Sequence, residues 1–153
     1  MNFINLIEDN YNIKVSELSL SDAHFGTEIY SLKTSDDNKY FVKKLPLYME
    51  DVKNESDITD FLRSKGIGVP VLLKTKDGSG VLICDDFQLT IQSYIEGETL
   101  KLNSASKDFL LRQAELLGKI NQTLSDYTNL PVHFDKKFFS KKISSQEMQK
   151  LKN

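Results

Sequence analysis

Lys39-Tyr40-Phe41-Val42-Lys43-Lys44-Leu45, closed by Pro46 and followed by an amphipathic run from Met49 to Ser64, decides how this chain folds. The first segment has strand character, and a proline ends it. Alternation then puts Phe41 and Lys43 on one face and Tyr40 and Val42 on the other. Lys44 points the opposite way to Lys43 and reads as solvated. The run after Pro46 carries Val52, Ile58, Phe61 and Leu62 on one side and stops at Lys65-Gly66, as a helix C-terminus does. Glu55 sits inside that helix, twelve residues after Lys43.

Upstream, Phe3, Leu6 and Ile7 lie at helical spacing and predict a short lead-in helix over Phe3 to Asn10. Ile13 to Leu20 reads as a strand with imperfect alternation. Ser21 to Gly26 is then a polar turn and Thr27 to Lys33 a second strand. The cluster Ser35-Asp36-Asp37-Asn38 turns the chain into the strand already described, so the first three strands form an antiparallel meander.

Downstream, Val69 to Leu73 returns to strand, and Asp77-Gly78-Ser79-Gly80 is a hairpin turn. Val81 to Cys84 and Leu89 to Ile95 are further strands, divided by the solvated pair Asp85-Asp86. A long helix runs from about Ser106 to Leu124, with Ser104 and Ser106 as candidate caps and Phe109, Leu110, Ala114, Leu117 and Ile120 as its apolar side. After Pro131 the chain is aromatic and basic, then polar and helical from Ser144 to Asn153. The fold class is α+β: an antiparallel sheet of five or six strands packed by the Met49–Ser64 helix, then further helices.

The 153 residues suit one ordinary domain, and 39% hydrophobic with 27% charged residues fits a globular chain. A net charge of −2, from 20 basic and 22 acidic residues mixed along the chain, argues against nucleic acid as a partner. One cysteine, Cys84, and two histidines, His24 and His133, are too few for a Cys/His zinc site. Cys84 reads as a small core residue. With no signal-like N-terminus and no membrane-length apolar run, the expectation is a cytoplasmic protein with no membrane partner.

Lys43, Glu55 and Gly26 together form the set that nucleotide binding needs. A turn between two strands covers phosphates with its amides, a strand lysine meets the α- and β-phosphates, and a helix carboxylate holds that lysine extended. Phe41, beside Lys43, lines a base pocket in this reading. The bland alternatives stay open: a solvated lysine, a surface carboxylate, Glu50 as the lysine's partner, and Gly26 as a plain turn glycine.

In this order the chain resembles the aminoglycoside phosphotransferase and choline kinase group of kinase-like enzymes, N-terminal portion only. The resemblance is carried by Gly26-Thr27-Glu28-Ile29-Tyr30, by Tyr40 to Lys44, and by Glu55 to Leu62 with Gly66-Ile67-Gly68-Val69-Pro70. Gln92 to Glu98 and Leu116 to Asn121 complete it. It implies a kinase-like nucleotide lobe over 1–95, and hinge exit and first helices of a second, incomplete lobe over 96–153. Asp22 to Thr27 would cover phosphates and Gln92 would be the gatekeeper. The Ser93 carbonyl and Ile95 amide would meet the adenine edge. The implied cofactors are ATP and Mg²⁺, and the implied substrate is a small-molecule hydroxyl.

Phosphoryl transfer also needs a base-positioning aspartate and a metal-binding aspartate. His133-Phe134-Asp135 has the first element of such a motif, but Ser140 stands where an Asn belongs and only Glu147 is acidic afterwards. No catalytic or metal residue is therefore assigned in this chain, and the Mg²⁺ ligands are expected in a missing lobe. The expectation is a piece or remnant that binds nucleotide and transfers nothing. The alternative is a non-catalytic kinase-like module for nucleotide sensing or protein binding, with an uncovered apolar surface around Leu116, Phe134 and Phe139.

Overall fold

The computed structural model describes residues 2–48, 52–97, 100 and 104–128. Its elements run α1 (Phe3–Asn10), β1 (Val15–His24), β2 (Thr27–Thr34), β3 (Lys39–Pro46), α2 (Val52–Ser64), β4 (Leu82–Ile83), β5 (Phe87–Ser93) and α3 (Lys107–Leu124). The strands make one five-stranded antiparallel sheet in the order β1-β2-β3-β5-β4, within the expected five to six.

The alternation read on β3 holds through the sheet. Val42 pairs with Tyr30 and Ile91, and together with Leu32 and Leu89 they form the face under α1. Ile7 and Tyr11 of α1 close that core, both almost fully buried. Each such side chain removed from water contributes about 1.5–3 kcal/mol. On the opposite face Leu45 packs with Val52 of α2 and with Val81. β3 therefore sits between two helices, with Lys43 on the α2 side.

Local chemistry ends each helix. Asn2 caps α1 by accepting from the Ile4 amide, and the Lys76 ammonium meets the Glu8 and Asp9 carbonyls at the other end, both at 2.9 Å. α2 closes on Gly66 (φ 75), with Gly66 N bonded to Arg63 O and Ile67 N to Leu62 O. That double bond pattern needs a left-handed residue and fixes the exit of the chain. Ser106 caps α3 by accepting from the Phe109 amide at 3.1 Å.

Four expectations change. β1 runs on through His24, where a polar turn was expected, because pairing with β2 continues to His24↔Thr27 without help from apolar alternation. Two register shifts, at Val15/Glu17 and Leu20/Asp22, scramble the alternation that would have announced it. Val69 to Leu73 makes only the isolated bridge Leu72↔Gln92, with Leu73 N bonding Ile91 O, because Pro70 interrupts the donor row. Lys44 is not simply solvated: it pairs with Glu28 at 3.2 Å and lies 5.2 Å from the centre of the Phe87 ring. Cys84 is half-buried at the β4–β5 turn rather than in the core. The helix expected over Ser144 to Asn153, His133 to Asp135, Phe138 and Phe139 lie outside the described residues, as does Glu50.

Candidate functional site

β3 and the first turn of α2 bring two of the sequence-selected residues together. Lys43 Nζ lies 3.3 Å from Glu55 Oε1, with side chains 27% and 39% exposed. Lys43 is fixed laterally by its strand partners Ile29 and Thr90, and Thr90 is almost fully buried. Glu55 sits in the first turn of its helix, where backbone amides favour a negative charge. A half-exposed ion pair of this type is worth only about 0–1 kcal/mol.

Phe41, two residues before Lys43, lies on the same face and opposite Gln92 of β5. Its ring packs on Tyr94, centroids 5.1 Å apart and tilted by 39°. The Lys39 ammonium covers Tyr94 at 5.5 Å and pairs with Glu96 at 3.1 Å. Lys39, Phe41, Tyr94 and Glu96 thus form one cluster where β5 leaves the sheet. The sequence reading singled out Phe41 and placed Tyr94 and Glu96 in the Gln92 to Glu98 stretch, but missed Lys39 and the contacts that join the four. Spacing gave no signal for them, because the contact joins residues more than fifty apart.

Ser93 ends β5. Its amide donates to the Val71 carbonyl and its hydroxyl accepts from the Val71 amide, both at 2.8 Å. Tyr94 N donates back to Lys39 O at 3.1 Å. Beyond them Ile95 is exposed. The end of β5 is thus anchored on both sides, by Val71 and by Lys39.

The hairpin tip is tighter than expected. Phe25 (φ 49) and Gly26 (φ 81) are its only two turn residues, both left-handed, as a type I′ turn requires. Thr27 lies at the start of β2, paired with His24, rather than in a loop. A Cβ on Gly26 would come 3.3 Å from Pro46 Cγ, so the tip leans over the end of β3. Phe25 is 97% exposed, and His24 pairs with Asp22 at 2.9 Å.

On the other face, Glu28 bonds both Tyr30 and Lys44. The Tyr30 hydrogen bond and then Lys44 hold the Glu28 carboxyl below its usual range. That same hydrogen bond, followed by burial, pushes the Tyr30 hydroxyl up to about 12. Among the described residues, no three of His, Cys, Asp or Glu gather closely enough to hold a metal. No helix among them is long and apolar enough to cross a membrane.

The five-stranded antiparallel sheet with its three helices has the fold of a kinase-like N-terminal lobe. Two solved structures share it. One is spectinomycin phosphotransferase APH(9)-Ia in complex with ADP and spectinomycin, at TM-score 0.62 and 17% identity over 84% of this chain. The other is amicoumacin kinase hAmiN in complex with AMP-PNP, Ca²⁺ and Ami, at TM-score 0.71 and 15% identity over 86% of this chain. The chain spans 38% and 42% of those two proteins, in their N-terminal part. No protein-family model and no curated protein matches it.

Proposed function

We propose that this chain is the ATP-binding portion of a kinase that moves the γ-phosphate to the hydroxyl of a small molecule. The observation that carries the reading is the Lys43–Glu55 pair at 3.3 Å, half-exposed on the α2 side of β3. Glu55 holds the lysine extended so that its ammonium meets the α- and β-phosphates. Phe41 and Gln92 line the base pocket. The Ser93 carbonyl and Ile95 amide meet the adenine edge, since the Ser93 amide and hydroxyl are already taken by Val71.

Gly26 and Thr27 belong to the phosphate-covering hairpin. A two-residue turn presents few amides, so Lys43 carries most of the phosphate recognition in this scheme. Mg²⁺ neutralises phosphate charge during transfer, and its ligands are assigned to a second lobe begun by 96–153. The base-positioning aspartate and the acceptor site belong there as well.

Thermal unfolding with and without Mg-ATP tests the reading. A ligand present at 100 times its dissociation constant stabilises by about 2.7 kcal/mol. Wild type should gain stability with ATP, and Lys43→Ala should lose that gain while unfolding at nearly the same temperature without ligand. An ATP gain that persists undiminished in Lys43→Ala would rule out the phosphate contact.

A second reading, a non-catalytic lobe that binds a protein, is favoured by α3. Leu110, Leu111 and Leu117 are each more than half exposed on it, and Leu116 is 40% exposed. A defined oligomer whose size is unaffected by ATP would support that reading.

A further inference from the structure

α2 meets the loop before β4 at a point where nothing larger than hydrogen fits. A Cβ on Gly80 would overlap the Cβ and Oγ of Ser56. Neither side yields easily. Ser56 is 2% exposed. Gly80 lies between the turn closed by Thr75 N→Ser79 O and the buried Val81, which packs on Leu45 and Val52.

Lys74, from the same loop, reaches the same helix. Its ammonium bonds the Ser56 hydroxyl and lies 2.9 Å from Asp60 Oδ2. Ser56 and Asp60 are four residues apart and so lie one above the other on a single helix face. One loop thus presses a backbone against Ser56 and ties a full turn of α2 with one cation. Glu55 is the residue before Ser56, about 100° around the helix axis, and its carboxylate points at Lys43.

We infer that the 74–80 loop sets the rotation and height of α2, which makes Gly80 and Lys74 positioning residues for the Lys43–Glu55 pair. The tolerance is small. The pair stands at 3.3 Å, and an ion pair is spent beyond about 4 Å, so a sub-ångström displacement of α2 is enough to break it. A Cβ at Gly80 forces a displacement of at least that order. The consequence for nucleotide binding rests on the function proposed above; the geometric coupling does not.

The test uses Gly80→Ala and Lys74→Met in the full chain, with Gly68→Ala as a control, since a Cβ there meets nothing within 4 Å. Crystal structures read the Lys43–Glu55 separation, and calorimetry reads the affinities for adenosine and for ATP. Gly80→Ala should move the two side chains out of ion-pair range. ATP should weaken about tenfold, the size of one charge-assisted hydrogen bond, while adenosine stays within about twofold.

Adding Ser56→Gly removes the side chain that clashes and should restore the separation and the ATP affinity. Lys74→Met adds no bulk at the contact and should give a smaller change of the same kind, so the test survives if Gly80→Ala fails to fold. The inference is overturned if the pair keeps its distance in both variants, or if adenosine and ATP weaken together. If wild type binds neither ligand, the nucleotide reading falls, and the variant structures alone decide the positioning.

Discussion

Lys43 is drawn from solvent next to buried Thr90 and meets the Glu55 carboxylate at 3.3 Å. Its orientation was legible in the sequence, because strand alternation fixes which face a residue takes once the strand is placed. The partner was less so: helix register left Glu50 as a rival, and Glu50 lies outside the described residues. Lys44 shows the limit of such reading, since its contacts come from β2 and β5 rather than from its neighbours in sequence. A prediction at this scale concerns pH. Tyr30 ionises near 10.0 in the unfolded chain and at about 12 in the fold, chiefly because it donates to Glu28. Burial raises Tyr11 in the same direction. The neutral phenols thus favour the folded state in full below pH 10, and this contribution is lost as pH rises from 10 toward 12. Urea midpoints should fall across that range, and less steeply in Tyr30→Phe.

Among the elements, the β1–β2 hairpin was the hardest to place. Ser21 to His24 has turn-like composition, and only cross-strand pairing makes it strand. The glycine did mark the turn, although the turn is two residues long and includes Phe25. Gly26→Ala places a Cβ at φ 81 and near Pro46, and should destabilise by about 1–2 kcal/mol. Gly26→Asn should be milder, since asparagine tolerates that region. Chemical denaturation of the two variants checks the order. The apolar side and Gly66 placed α2 correctly from Val52 to Ser64, the expected start at Met49 lying outside the described residues. What set its rotation, Gly80 against Ser56, was invisible, because a contact between backbone and helix leaves no periodic trace in either segment. The core under α1 follows simpler rules: Ile91→Ala removes a fully buried side chain and should cost about 2–5 kcal/mol.

For the whole molecule, α3 is the informative part. Tyr127, three residues past its end, packs on Phe61 of α2 with ring centroids 4.9 Å apart, yet no residue of α3 itself is buried. A helix of 18 residues with leucines left open to solvent draws little stability from apolar burial among the described residues. The replacements Leu110→Gln and Leu117→Gln should therefore change the unfolding free energy by no more than about 0.5 kcal/mol. A defined oligomer lost on these replacements, seen by sedimentation, would move the balance to the protein-binding reading.

The most direct measurement of the central claim is chemical. An acyl phosphate of ATP delivers its acyl group to whichever lysine lies against the phosphates, and peptide mapping then identifies that lysine. Acylation should concentrate on Lys43 and be suppressed by excess Mg-ATP. Labelling spread over exposed lysines such as Lys14 and Lys39, with no protection by ATP, would contradict a nucleotide site at the Lys43–Glu55 pair.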